Sequence, residues 1–166
     1  MSAPARMMTF HIPADPRVLT AVGEVAIRHG QLDHILRMTI KTLAGLTPQQ
    51  ALDATASHGS ALLRERIGKL ANQRLGEGSA LLQIQAILER CRRATQRRDD
   101  LVHGLWAREL DGDPAMRTSD HAWKPIPTVE ELNALTSELV SLTDELNNAR
   151  LEGFLAAALA ARGKKA

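Results

Sequence analysis

Apolar residues recur at three- and four-residue intervals along three long stretches of this chain, and the alternation expected of half-buried strands is nearly absent. A chain patterned this way buries itself by packing helices against one another. In the first stretch Val18, Val22, Val25, Leu32, Leu36 and Leu43 keep the spacing, with His29 and Thr39 at the remaining seam positions. One face is therefore apolar for about seven turns. Asp15-Pro16 supplies a cap and a proline at the first helical position, and Gly45-Leu46 ends the helix.

Thr47-Pro48-Gln49-Gln50 combines a capping box with an N1 proline and predicts a short helix to about Ser57, stopped by His58-Gly59. Ser60 is expected to cap a third helix bearing Leu62, Leu63, Ile67 and Leu70. After the turn Gly76-Glu77-Gly78, Ser79 is expected to cap a fourth. On that helix Leu81, Ile84, Leu88, Cys91, Thr95, Arg98, Val102 and Leu105 continue a three-four seam, so Arg98 stands on or beside the buried stripe where leucine belongs.

From Asp111 to Pro127 the runs D-G-D-P, T-S-D and P-I-P preclude a helix and predict a loop, with room for a short hairpin led by Leu105-Trp106. Thr128-Val129-Glu130-Glu131 opens a last helix whose Leu132, Leu135, Leu139, Leu142 and Leu146 hold strict spacing. The apolar residues from Gly153 to Ala160, ending in R-G-K-K, predict a packed helix end and a frayed basic tail. The expectation is an all-α, up-and-down bundle of four to five helices. Its parts are an N-terminal arm (1–14), one helical domain (15–161) and a basic tail (162–166).

Composition narrows function by exclusion. One cysteine, Cys91, precludes a disulfide framework within the chain or a cysteine-built metal site and suits a reducing, cytoplasmic compartment. No apolar run reaches a membrane span and the first residues lack a secretory core, so neither membrane insertion nor export is expected. The net charge of +2 does not describe a general nucleic-acid coat, and two Phe, two Trp and no Tyr provide no row of rings for stacking bases. His29 and His34 are five apart, and His58 and His121 stand alone, so no metal and no cofactor is expected. The nucleotide-binding glycine loops and the G-x-S-x-G elbow are missing.

Arg90, Arg92, Arg93, Arg97 and Arg98 crowd the fourth helix, while the last helix carries Glu130, Glu131, Glu138, Asp144, Glu145 and Glu152 against Arg150. Two readings stand side by side. The cluster is a phosphate-facing surface, with Arg93 and Arg97 as RNA or phosphate ligands, or it is a solvated face in an ion network with the acidic helix. Arg98 is set apart, because a guanidinium on an apolar seam needs a partner or an interface.

Arg98 opens the segment Arg98-Asp99-Asp100-Leu101-Val102-His103, followed by Gly104-Leu105-Trp106. It resembles the R-x(4-6)-H motif of HEPN-domain proteins, in which a polar residue directly follows the arginine. The resemblance extends loosely back to G-Q-L-D-H at Gly30 to His34. It implies a helical bundle that dimerises across this helix and, in active members, a metal-independent ribonuclease built from two facing motifs. Other members only bind nucleotides or partners. One departure is Asp99 where asparagine is common, which adds a negative charge near any phosphate.

The chemistry fits the residue types without the name. Metal-free RNA cleavage needs a group that moves the 2′-hydroxyl or leaving-group proton and a cation beside the phosphorane, and His103 and Arg98 are such groups. Five helical positions turn about 140°, so these two do not share a face, whereas Asp99 and His103 are about 40° apart. Asp99 is therefore expected to hold the imidazole, and Arg98 to converge with a histidine through a loosened helix end near Gly104 or across a two-fold axis. The alternative account makes Arg98, Asp99 and Asp100 helix-end ion pairs, His103 a cation at a helix C-terminus and Trp106 a packing residue over that end. Two functions remain from this reading. One is a homodimeric RNA endonuclease with a toxin or defence role and an antitoxin as a candidate partner. The other is a non-catalytic nucleotide-binding or protein-interaction module that dimerises through the same seam.

Overall fold

The computed structural model describes residues 8–109 and 112–163 and is mainly helical. Helix α1 (Pro16–Ala44) begins at Asp15, whose side chain accepts from the Arg17 amide, and ends at Gly45. Gly45 takes the left-handed conformation (φ 68°) that returns its amide to the Lys41 carbonyl, where a side chain would be strained. Helix α2 (Pro48–Ala54) starts on the full Thr47–Gln50 capping box and stops earlier than expected. Helices α3 (Ser60–Leu75) and α4 (Ser79–His103) follow, then α5 (Val129–Leu151) on the Thr128–Glu131 box.

The two serines expected as caps are the first helical residues instead. Gly59 and Gly78 occupy the cap positions, and the Ser60 hydroxyl donates to Asp33 at 2.7 Å. The last helix does not run on into the apolar tail segment. The chain breaks at Glu152 and Gly153, and a separate α6 (Phe154–Gly163) buries Leu155 and ties Arg162 to the Arg74 carbonyl at 3.0 Å. Helix thus extends past the expected domain end at 161, and residues 164–166 of the expected tail lie outside the described residues.

Helix α1 packs against α3, α4 and α5, and the shared core is built from the stripes that the spacing marks. Leu32, Leu36, Ile40 and Leu43 of α1, Leu63 and Ile67 of α3, Ile84 of α4 and all five marked leucines of α5 are fully buried. Removing such side chains from water is the main force holding the bundle together. On α4 the seam drifts toward its C-terminal end, where Leu101 is buried and Val102 is 45% exposed. A straight helix at 3.6 residues per turn rotates away from a strict repeat in this manner.

The expected loop before α5 contains a small antiparallel sheet. Strands β1 (Met8–Phe10), β2 (Leu105–Glu109), β3 (Ala115–Arg117) and β4 (Trp123–Pro125) lie side by side in that order. Part of the N-terminal arm is therefore an edge strand, registered Phe10 against Ala107, while residues 1–7 lie outside the described residues. Trp106 and Met116 pair across β2 and β3 on the inner face and pack on the core. Met8, Phe10 and Trp123 remain exposed. Among the described residues no helix is long and apolar enough to cross a membrane.

Candidate functional site: the polar cluster around Arg98

Three helices deliver polar side chains to one point in a largely apolar interior. On α1, His29 sits between Val25 and Leu32 on the buried stripe, and Asp33 follows one turn later. On α3, Ser60 and Arg64 stand on its first turns, and on α4, Thr95 and Arg98 succeed Cys91 along the seam. His29 is 2% exposed, a buried group at the seam position that the spacing gives it.

Both ring nitrogens of His29 are used. Nε2 lies 3.1 Å from the Thr95 hydroxyl, and Nδ1 lies 2.9 Å from an Arg98 Nη atom. A guanidinium only donates, so Nδ1 must carry the lone pair and Nε2 the proton. The ring is thereby the neutral Nε2–H tautomer, donating to Thr95, whose oxygen also accepts from Arg64 at 3.2 Å. Burial lowers the His29 pKa below the usual imidazole value, which agrees with a neutral ring. Asp33 and Asp99 pull the other way, and Arg98 and Arg64 reinforce burial. Asp33 comes within 3.8 Å of Nδ1 while its other oxygen accepts from Ser60.

The second Nη atom of Arg98 pairs with Asp99 at 2.8 Å. Arg98 Nε is buried without a partner, yet the side chain as a whole is 21% exposed. The seam arginine is thus fixed at the border of core and solvent by an acid on its own helix and an imidazole on another. Asp99, expected to orient His103, orients Arg98. His103 is exposed at the end of α4 and makes no side-chain hydrogen bond or ion pair among the described residues.

The remaining arginines face a different way. Arg93 and Arg97 line the groove between α4 and α5 together with Arg90. Arg90 bridges to Glu138 at 3.1 Å and Glu145 at 2.5 Å, the cross-helix network that the charge pattern offered as one of its two readings. Arg93 approaches Glu89 at 3.9 Å, and Arg97 reaches the Glu131 carbonyl at 3.4 Å. The structure therefore brings Arg98 and Asp99 together and sets Arg93 and Arg97 on the α5 side of α4, while Arg98 turns toward α1.

Several contacts hold the end of α4. The Gly104 amide returns to the Asp100 carbonyl, and the Trp106 indole donates to the Leu101 carbonyl at 2.9 Å, satisfying acceptors that a helix end leaves open. Trp106 is thus the packing residue expected there. A Cβ on Gly104 would collide with the Asp100 carbonyl oxygen, so only glycine lets the chain turn into β2 so closely. Asp100 accepts from Gln96 and from the Ser119 hydroxyl at 3.1 Å, anchoring the turn after β3 to α4.

Beside this end a cavity of about 390 Å³ opens over Leu101, Met116, Leu132 and Leu135, with Arg97 and Lys124 at its rim beside the acids Asp100 and Glu131. Among the described residues no three His, Cys, Asp or Glu side chains group as a metal ion would require. Sequence reasoning missed His29 as the partner of Arg98, and Asp33, Thr95 and Arg64 as the polar groups gathered around that ring. The one available signal was a histidine on a leucine stripe. Comparison with known proteins finds no matching family model, no curated relative and no matching solved structure, so the HEPN resemblance gains no support there and the function rests on the residues' own chemistry.

Proposed function

We propose that this chain works as a two-fold dimer that cleaves RNA without a metal ion, as a HEPN-type endonuclease whose site combines residues of both subunits. The observation that carries this reading is the placement of Arg98. Its guanidinium is held in a set position at the core border by Asp99 and His29, about one and a half turns before an exposed His103 that has no partner among the described residues. Preorganised charge of this kind lowers the barrier to a charged transition state without reorganising during the reaction. Within one chain the two side chains diverge by about 140° and by about 7.5 Å along the axis, so a second copy across α4 is needed to complete the site.

In that site one His103 removes the proton of the 2′-hydroxyl, whose oxygen attacks the adjacent phosphorus. Arg98 offsets the charge gathering on the phosphoryl oxygens. His103 of the partner subunit, protonated, gives its proton to the departing 5′-oxygen. The products are a 2′,3′-cyclic phosphate and a 5′-hydroxyl end. Purified protein should cut single-stranded RNA in excess EDTA and spare DNA, and light scattering should give about twice 18.1 kDa. His103→Ala should slow cleavage by about 10²–10⁴-fold in a dimer that stays folded. Arg98→Ala should cost about 10²–10³-fold. A monomer, or cleavage unchanged in folded His103→Ala, refutes the composite site.

A second reading is a nucleotide-binding module without catalysis, and the cavity at the end of α4 favours it. Its apolar floor suits a base, and Arg97 and Lys124 at its rim suit a phosphate. Saturable binding of a nucleotide that is weakened by Arg97→Ala and Lys124→Ala, in a protein that cuts no RNA, would select this reading.

A further inference from the structure

We propose that His29 is a positioning residue that holds the Arg98 guanidinium in its working orientation through Nδ1, and that protonating the ring releases Arg98 by handing Nδ1 to Asp33. The functional meaning of this rests on Arg98 acting at a phosphate. The geometric claim stands without it.

Arg98 crosses from α4 to α1 to reach a residue 69 positions away, and it finds there a neutral acceptor that holds the guanidinium without adding to the negative charge of Asp99. A carboxylate at that point would set a second negative charge against the cation. A leucine would suit the stripe between Val25 and Leu32 equally well but would accept nothing from Arg98. The neutral imidazole is kept in the accepting tautomer from its far side. Thr95 accepts a hydrogen bond from Nε2–H, and Arg64, donating to the same hydroxyl, helps hold that oxygen in place.

The groups facing the ring are Asp33 on its own helix, Arg64 on α3, and Arg98 and Asp99 on α4. Once Nδ1 carries a proton, it points a donor at a donor and a charge at a like charge. Asp33, at 3.8 Å and braced by Ser60, is then the partner in reach. Arg98 keeps only Asp99, an adjacent residue on the same helix, and loses the contact that ties it to α1. The ring thus has two alternative partners at one atom, chosen by its protonation state.

Two variants separate positioning from packing. His29→Asn can place its amide oxygen near the site of Nδ1, keeping an acceptor for Arg98 and giving up Thr95. His29→Gln reaches the site of Nε2, keeping the Thr95 contact and giving up Arg98. Each loses one hydrogen bond, so a merely structural role would affect both alike.

The first readout needs no activity. Nitrogen-15 spectra of the full chain, assigned with Arg98→Lys, should show a neutral Nε2–H ring for His29 near neutral pH. Arg98 Nη signals should be resolved and slowly exchanging in wild type and His29→Asn, and averaged in His29→Gln or after acidification. An Nδ1–H ring, or Arg98 signals that are the same in all three proteins, overturns the proposal. The second readout is cleavage. His29→Gln should lower kcat by about tenfold to a hundredfold, the scale of a misplaced catalytic group, with KM little changed, and His29→Asn should recover most of that loss. Equal losses in the two variants overturn the positioning role. If wild type cuts no RNA, the ribonuclease reading fails while the spectra still decide whether His29 sets Arg98.

Discussion

Replacing Thr95 with valine removes one hydroxyl and almost no volume, so it tests the polar cluster without opening a cavity. Thr95 is 6% exposed and its oxygen accepts from His29 and from Arg64. In the variant the His29 Nε2–H, on a ring 2% exposed, loses its acceptor. A buried donor left unmade costs about 1–3 kcal/mol. Arg64 is only partly buried and can turn its free Nη atom toward solvent, so it adds little. The expected net loss is about 2 kcal/mol, which for a chain of this size lowers Tm by about 4–8 °C.

Urea unfolding followed by circular dichroism should show a lower midpoint with an unchanged slope. In a His29→Leu background the donor is already gone, and Thr95→Val should then cost close to nothing. A coupling of about 0.5–3 kcal/mol between the two sites is the expected signature of a direct contact. If Thr95→Val alone shifts stability by less than about 0.5 kcal/mol, the surface-like range, the hydrogen bond to His29 is not holding the cluster and the tautomer argument fails with it.

Leu139 is fully buried on α5, so Leu139→Ala should destabilise by about 2–5 kcal/mol in the same unfolding assay, and a loss under about 0.5 kcal/mol would place that face in solvent. The lowered pKa of His29 gives stability a pH dependence of definite sign. As pH falls through the ordinary imidazole value of 6.5, the unfolded ring takes up a proton that the folded ring refuses, so stability declines until the folded ring titrates too. Wild type should lose stability relative to His29→Asn between neutral pH and mild acid, and parallel curves would contradict the assignment. Burial pushes the Cys91 thiol up to about 12, so a thiol reagent should label native protein only as fast as it unfolds, and prompt labelling of the folded protein would show that Cys91 is accessible.

The helices were legible in the sequence because their causes are local. A capping box at Thr47 or Thr128, a proline after Asp15 and leucines three and four apart act within one or two turns, and each appears in the structure where the spacing puts it. The sheet was not legible beyond a short hairpin. Strands of three residues are too short to alternate visibly, and β1 takes its hydrogen bonds from a strand nearly a hundred positions later, which local pattern does not encode.

The site divides in the same way. That Arg98 is out of place on an apolar stripe, and that Asp99 and His103 lie on a common side of the helix, follow from helical geometry alone. Which partner answers the arginine depended on three helices meeting. Packing sets His29 of α1 against Thr95 and Arg98 of α4, leaves His103 in solvent and turns Arg93 and Arg97 toward α5. Sequence determines the need for a partner, because a guanidinium near a core must be satisfied wherever it lies. Only the tertiary structure decides that partner's identity, because hydrogen bonds act over about 3 Å between atoms whose separation along the chain carries no information about their separation in space.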